Sequence, residues 1–266
     1  MGARVRPRVT SPSSPLPLEG VTPVNQPKTD LDIVVPVYNE EARLGATLRA
    51  LTAHTATLPL SVQVTVVDNG SVDRSAEVVD EVAGRGPQNT TLRLIGCSRQ
   101  GKGAAVRRGM LASTATWRGF CDADLSTPPQ VLTEVLAHLR AGRPVVIGSR
   151  RAPGASYAVP QPLVRRLGSS TFRVLTRPLV GGIADTQCGF KFFSAEAAET
   201  IFRRVSADGF AFDVEVLAVA TRLGMPVVEV PVRWTDQAGS SFSVWSHGRR
   251  VVPEVVAVRA ALARMS

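Results

Sequence analysis

Two aspartates separated by one residue, Asp122 and Asp124, offer the clearest chemistry in this sequence. They follow the short apolar run 117–121 and precede a pair of prolines at 128–129. Because residues two apart in an extended segment face the same way, both carboxylates are expected to project together from the end of a strand. Two hard oxygen donors in this arrangement suit Mg²⁺ or Mn²⁺ shared with a phosphate. An isolated Asp-x-Asp is more often a solvated turn that caps a helix, so its context must decide.

The sequence around this pair alternates between buried-type strands and amphipathic helices. Strands are predicted at 31–37, 62–67, 91–95, 117–121 and 144–147, with helices ending near 55 and 82, opening at 101, and covering 128–140. The alternation predicts an α/β fold with a mostly parallel sheet flanked by helices on both faces. Right-handed crossovers bring the carboxyl ends of parallel strands to one edge, where such sheets bind ligands. The segments 38–40, 68–73 and 122–126 should therefore converge.

The second half of the chain is less regular. We expect a basic amphipathic helix after Pro162, a turn and strand over 185–193, helices at 194–204 and 212–223, a strand at 227–234, a Gly/Ser loop at 236–243 and a last amphipathic helix at about 246–264. Residues 1–29 are rich in Pro, Ser and Arg and are predicted to be a disordered basic arm. The expected organisation is this arm, one catalytic domain over 30–245, and a C-terminal amphipathic helix over 246–266 that packs on the domain or on a membrane surface.

The charge balance favours anionic partners. The 266 residues carry a formal charge of +9 and a pI near 10.6, which suits phosphorylated ligands or an anionic membrane surface. Nucleic acid is not an expected partner, because the sequence lacks a recognisable module and interleaved aromatic residues. The three cysteines have no metal-type spacing and are interpreted as buried, reduced thiols. With no run of about 20 apolar residues and no signal-peptide core, we predict a cytoplasmic protein that docks peripherally on the membrane.

Other motifs at the predicted ligand edge indicate a nucleotide diphosphate. Asp68 ends the second strand, where its carboxylate can accept hydrogen bonds from a base or ribose, although it can equally be a turn residue. Gly101 and Lys102 combine close backbone approach with a cation. Neither a Walker loop nor a Gly-x-Gly-x-x-Gly dinucleotide motif is present. A metal that bridges a diphosphate makes it a better leaving group, which is the chemistry of glycosyl transfer from a nucleotide sugar.

Several motifs, in their order along the chain, resemble those of the family 2 glycosyltransferases with the GT-A (Rossmann-like) fold. They are the segments 36–41 (Pro-Val-Tyr-Asn-Glu-Glu), 66–71 (Val-Val-Asp-Asn-Gly-Ser) and 122–124 (Asp-Ala-Asp). The segments 101–110, 185–191, 210–215 and 230–236 narrow the resemblance to dolichyl- or polyprenyl-phosphate glucosyltransferases, with polyprenyl-phosphate mannose synthases close by. The likeness covers about residues 31–245.

The resemblance implies inverting transfer of a hexose from a nucleotide sugar, with UDP-glucose favoured and GDP-mannose as the second candidate, to a polyprenyl phosphate. It places Pro36, Tyr38, Glu40 and Asp68 around the nucleotide, Asp122 and Asp124 on a Mg²⁺ or Mn²⁺ ion and the diphosphate, and Arg150, Arg165 and Ser169 on the acceptor phosphate. Ser126 stands where mannose synthases carry a metal-assisting Gln. Asn69 stands where the family usually has Asp, and we expect little effect because Asp68 remains. The oligomeric state is left open.

The acceptor class depends on whether a base is available. A hydroxyl acceptor needs a general base, for which Asp213 or Glu215 is the best candidate; both also suit the start of a helix. A phosphate acceptor is already an anionic nucleophile and needs only cations beside it. The arginines of 150–177 meet that need, although a solvated basic face explains them equally well. The catalytic candidates are Asp122, Asp124, Arg150, Arg165 and Asp213; the rival hypotheses are a soluble hydroxyl acceptor and a nucleotide-sugar binding protein without turnover.

Overall fold

A computed structural model describes residues 29–84, 86–157, 176–209, 211–235 and 244–265. Its strands are β1 (Leu31–Val37), β2 (Val62–Asp68), β3 (Thr90–Gly96), β4 (Trp117–Cys121), β5 (Val145–Ser149), β6 (Ser156–Tyr157), β7 (Phe190–Ser194), β8 (Val227–Pro231) and β9 (Arg233–Trp234). Its α-helices are α1 (Glu41–Thr55), α2 (Ser75–Ala83), α3 (Lys102–Ala112), α4 (Val131–Arg140), α5 (Ala195–Phe202), α6 (Phe212–Arg222) and α7 (Val244–Ala263). Where the structure describes them, the predicted elements agree with these bounds within a few residues, except that the single strand predicted at 227–234 is divided into β8 and β9, which lie in different sheets.

The main sheet has seven strands in the order β3-β2-β1-β4-β7-β5-β8. All neighbouring pairs are parallel except those of β7, which runs antiparallel to β4 and β5. The mostly parallel α/β sheet is thus confirmed. Because β7 is reversed, its first residue Phe190 lies opposite Cys121, the last residue of β4. The turn at 185–189 therefore enters the same edge as the acidic pair.

Two apolar cores cover the two faces of the sheet. In β1 the side chains alternate between them, with Val34 in one core and Ile33 and Val35 in the other, as the period of two in a strand requires. The first core packs α3, α5, α6 and α7, and the second packs α1, α2 and α4. Helices lie on both faces, as the alternating sequence predicted.

The C-terminal helix α7 rests on the domain. Its residues Val255, Val258 and Leu262 are buried, and it contacts α6. In the part of the chain that the structure describes, no helix has the length and apolarity required to cross a membrane. The predicted basic arm up to residue 28, the basic helix after Pro162 and the Gly/Ser loop at 236–243 lie outside the described residues. One cysteine prediction was wrong, since Cys97 is partly exposed whereas Cys121 and Cys188 are buried.

Candidate active site

Two loops at the carboxyl ends of β1 and β2 are tied together by side chains. The Asn39 N–H donates to Ser71 Oγ at 3.0 Å, and the Glu41 N–H donates to Asp73 Oδ2 at 3.0 Å. Asp68, at the end of β2, accepts the Ser71 N–H at 3.1 Å. Since each loop supplies acceptors for the other, the rim around Asp68 is preorganised.

The other predicted nucleotide residues surround this rim. Pro36 lies within β1 and Tyr38 is 59% exposed just beyond it. Glu40 precedes α1 and forms an ion pair with Arg43. The structure brings these three residues to the same edge as Asp68, as the sheet topology required. Tyr38 offers an exposed aromatic face, whereas the Glu40 carboxylate already has a cationic partner.

The acidic pair does not follow the extended geometry that the sequence suggested. β4 ends at Cys121, and Asp122 and Asp124 lie in a turn closed by the Leu125 N–H, which donates to the Asp122 carbonyl at 3.2 Å. Leu125 has a positive φ of 46°. Asp124 Oδ1 accepts the Ser126 N–H at 3.0 Å. Asp122 and Asp124 nevertheless line one cleft, but the turn, not strand alternation, brings them together.

Four charged side chains, one from the acidic turn and three from α3, β7 and α6, form a chain of ion pairs that starts at this cleft. Lys102, the first residue of α3, places its Nζ 2.7 Å from Asp122 Oδ1 and 3.4 Å from Asp213 Oδ2. The other oxygen of Asp213 accepts a short hydrogen bond from Lys191 in β7. Lys191 is fully buried and also donates to the Cys188 carbonyl at 2.7 Å. Two lysines and two aspartates thus alternate from the cleft into the core.

The surroundings shift the pKa values of the two aspartates in opposite directions. Burial raises the pKa of Asp122, and the charges of Asp213 and Asp124 add to this rise, while Lys102 opposes it. Burial acts in the same sense on Asp213, but attraction and hydrogen bonds from Lys102 and Lys191 outweigh it and lower its pKa. Asp213 is therefore a firmly ionised carboxylate and a weak proton acceptor.

Neither candidate base is free. Both oxygens of Asp213 are engaged by lysines. The Glu215 carboxylate accepts the backbone N–H groups of Ser206 and Ala207, at 2.9 and 2.7 Å, and the Ser206 hydroxyl at 3.1 Å. Such contacts hold both carboxylates in place, so either one would have to exchange a protein partner before it could take a proton from a ligand. The general-base role of these two residues stays a prediction, and their present contacts favour an acceptor that needs no base.

Two functional features were missed in the sequence. The first is Lys191, a single cation among the aromatic residues of β7; a lone charge in a buried strand indicates a buried counterion, and here that ion is Asp213. The second is Gly189, whose backbone carbonyl accepts the Asp122 N–H at 3.0 Å. A Cβ at Gly189 would lie 1.9 Å from Asp122 Oδ2. The absence of a side chain at 189 is what makes room for the carboxylate.

Arg150 occupies a different environment from the one predicted. Its Nε and Nη2 donate to the two oxygens of Asp185, both at 2.7 Å, and its guanidinium lies 4.8 Å from the centre of the Trp234 ring. Burial opposes the charge of Arg150, but the bonds to Asp185 outweigh it and raise its pKa. Arg150 is thus a permanent cation whose planar edge is already bound to a carboxylate. Arg165 and Ser169 lie outside the described residues, so their acceptor roles stay predictions.

The oxygen donors of the acidic turn suit a metal ion whose remaining coordination positions are filled by a bound phosphate ligand and water. Asp122 and Asp124 supply hard oxygen donors at the cleft, and Ser126 lies beside them. No cluster of three or more His, Cys, Asp or Glu side chains suited to a metal exists within the described ranges. Two carboxylates fit Mg²⁺ or Mn²⁺, whose other positions are commonly filled by phosphate oxygens and water. Trp234 Nε1, on a residue that lines the cleft, is a buried donor with no partner in the described structure.

One edge of the sheet thus gathers the rim around Asp68, a lysine and an acidic turn, an arrangement suited to a transferase that handles a phosphorylated ligand with a divalent metal ion. Residues 32–202 match the sequence model of Glycosyl transferase family 2. The chain belongs to this family, and it is a glycosyltransferase.

Curated relatives extend over most of the chain. A dolichyl-phosphate beta-glucosyltransferase of Dictyostelium discoideum is 32% identical over 240 residues, which cover 86% of this chain and 73% of the relative. The human protein of the same name is 30% identical over 235 residues, covering 84% of this chain and 72% of the relative. These matches confirm the resemblance seen in the motifs.

Solved structures share the fold. Glucosyl-3-phosphoglycerate synthase from Mycobacterium tuberculosis, in complex with Mn²⁺, UDP and glucosyl-3-phosphoglycerate, superimposes with a TM-score of 0.65 at 18% identity. The alignment covers 86% of this chain and 80% of that one. A complex of the same enzyme with Mn²⁺, UDP-glucose and phosphoglyceric acid gives the same TM-score. The GT-A fold class is thereby confirmed.

Proposed function

We propose that this enzyme transfers glucose from UDP-glucose to a polyprenyl or dolichyl phosphate, with inversion at the anomeric carbon and with Mg²⁺ or Mn²⁺. The names of its relatives support glucose as the transferred sugar and dolichyl phosphate as the acceptor. The observation that carries the choice of acceptor is the state of Asp213 and Glu215, the two candidate bases, which are both bound to groups of the protein itself. A phosphate acceptor needs no base, whereas a hydroxyl acceptor does.

In the proposed reaction a phosphate oxygen of the acceptor attacks the anomeric carbon of glucose. The bond from that carbon to the diphosphate oxygen breaks, its electron pair leaves with UDP, and no proton has to be transferred. Asp122 and Asp124 would hold the metal ion, which neutralises charge on the leaving diphosphate when bound. Lys102, beside Asp122, offers a fixed positive charge to the same developing anion.

Peripheral membrane contact, on the cytoplasmic face, is part of the proposal. A polyprenyl phosphate resides in a membrane, so the enzyme has to meet its acceptor at the surface. On α7, Val256 is 58% exposed and lies on the same helix as the exposed Arg259, and the exposed Arg264 directly follows the end of this helix. A helix that combines exposed apolar and cationic residues suits an anionic lipid surface.

The direct test is transfer of label into lipid. The protein is incubated with radiolabelled UDP-glucose, GDP-mannose or UDP-N-acetylglucosamine, Mn²⁺ or Mg²⁺, and dolichyl phosphate, and the lipid is extracted. We expect label from UDP-glucose in the organic phase, dependence on the divalent ion, and its loss in Asp124→Ala. If label appears in a soluble product and not in the lipid fraction, the acceptor is a soluble molecule and the proposal of a lipid acceptor fails. Undiminished transfer by Asp124→Ala would remove the metal assignment.

The predicted acceptor arginine has its own test. Arg165→Ala should raise the KM for dolichyl phosphate more than the KM for UDP-glucose, because the sequence resemblance assigns this cation to the acceptor phosphate. Arg143→Ala is the matched control, since Arg143 is exposed and precedes the amino end of β5, at the edge of the sheet opposite to the cleft. An increase confined to the donor KM would assign Arg165 to the donor instead.

A further inference from the structure

Asn69, directly after β2, uses its whole amide group to hold a neighbouring loop. Its Nδ2 donates to the carbonyls of Cys97 and Arg99 at 3.3 and 2.7 Å, and its Oδ1 accepts the Gly101 N–H at 2.7 Å. The orientation of the amide is unambiguous, because only the nitrogen can donate to carbonyls and only the oxygen can accept the N–H. Asn69 is itself buried and its N–H donates to the Val37 carbonyl at 2.9 Å.

The loop held by Asn69 leads directly into Lys102. Gly101 has a φ of +120°, and a Cβ there would lie 2.3 Å from the Asp208 carbonyl oxygen, so the backbone is packed closely at this point. The Gly103 N–H donates to the same carbonyl at 2.8 Å. Lys102 lies between these two glycines and reaches Asp122 at 2.7 Å. The amide of Asn69 and the carbonyl of Asp208 therefore fix the first turn of α3 from two sides.

We infer that Asn69 is a positioning residue that sets the place of Lys102 against the donor diphosphate, an inference that rests on the proposed donor site. An aspartate at 69 would keep the acceptor for Gly101 but would turn a carboxylate oxygen toward the Arg99 carbonyl, with no proton between them. The sequence alone suggested that Asn in place of Asp has little effect. In this chain the loop 97–101 presents two carbonyls and one N–H to residue 69, which is the complement of an amide.

The test compares Asn69→Asp with a matched variant at the opposite end of the sheet. Asn89 Nδ2 donates to the carbonyls of Thr55, Leu58 and Leu60, at 3.0, 3.0 and 3.2 Å, so Asn89→Asp loses the same kind of contact away from the cleft. We expect Asn69→Asp to weaken UDP binding in the presence of Mn²⁺, and to raise the KM for UDP-glucose, by about tenfold or more. The KM for dolichyl phosphate should change less than twofold. Asn89→Asp should leave both KM values unchanged.

Hydrogen exchange separates this inference from the proposed function. Amides of 97–103 should exchange faster in Asn69→Asp than in the wild type, and amides of 55–61 should do so in Asn89→Asp. If the wild type transfers no sugar, the proposed function fails, and exchange in 97–103 still decides whether Asn69 holds the loop. If Asn69→Asp does not fold, Asn69→Ser removes the amide without burying a charge and should give the same KM split. Unchanged exchange, or equal effects on donor and acceptor KM, overturns the inference.

Discussion

Replacement of Gly189 by alanine should displace the carboxylate of Asp122 and so damage the proposed donor site directly. A Cβ at this position would lie 1.9 Å from Asp122 Oδ2 and 2.2 Å from its Cγ, whereas ordinary contacts of a Cβ begin at 3.4 Å. In Gly189→Ala the carboxylate must therefore retreat by the difference, about 1.5 Å. The backbone at Asp122 cannot simply move away from the backbone at Gly189, because the Asp122 N–H donates to the Gly189 carbonyl at 3.0 Å.

Gly189→Ala is expected to lower kcat strongly and the folding free energy moderately. A misplacement of about 1 Å can cost about 100-fold in rate, so kcat for transfer from UDP-glucose should fall by about 100-fold, or about 2.7 kcal/mol in the barrier. Overpacking of a buried site typically costs about 1–3 kcal/mol of folding free energy. The assay is the transfer of labelled glucose to dolichyl phosphate, with calorimetric titration of Mn²⁺ in the presence of UDP.

Gly96→Ala is the matched control for this experiment. Gly96 ends β3 at the same edge of the sheet, and a Cβ there would meet nothing within 4 Å. Gly96→Ala should therefore keep its kcat. A folded Gly189→Ala enzyme with kcat within about twofold of the wild type would refute the reasoning, since it would mean that the position of Asp122 does not govern transfer.

Two further predictions concern the buried ion pairs. Asp185→Asn should destabilise the protein by about 3–5 kcal/mol at pH 7, because it leaves Arg150 without its carboxylate. Although burial acts to raise the pKa of Asp185, the bonds from Arg150 lower it. The stability that this pair contributes is thus present above the ordinary pKa of Asp and is lost as the pH falls through the lowered pKa of Asp185. Urea denaturation should therefore show that the difference in unfolding free energy between Asp185→Asn and the wild type becomes smaller in acid. Lys191→Met should cost about 3–5 kcal/mol, because Asp213 loses its buried partner. Arg203→Met, which breaks only an exposed pair with Glu199, should cost less than about 1 kcal/mol in the same assay. Equal losses of stability in Lys191→Met and Arg203→Met would contradict the expectation that a buried pair contributes more than an exposed one.

The strands and helices were predictable because their apolar periodicity is local, and the convergence of the ligand motifs followed from the handedness of the crossovers. The antiparallel direction of β7 was not predictable, since a buried strand has the same pattern in either direction. The acidic pair was identified for partly the wrong reason, because the residues lie in a turn with Leu125 at positive φ. The role of Asn69 depends on two carbonyls about 30 residues away, which no local pattern records.

The two lysines of this ion-pair chain differ in burial and in the aspartate that each contacts most closely. Lys191 is completely buried, whereas the side chain of Lys102 retains 31% of its exposure. Without Lys191, the charge of Asp213 would fall on Lys102 alone and would draw it away from Asp122. With Lys191 in place, Asp213 needs only a distant contact of 3.4 Å from Lys102, while the close contact of 2.7 Å goes to Asp122 at the cleft. The buried lysine of β7 therefore leaves the close contact of Lys102 to Asp122, at the edge where the leaving diphosphate is expected.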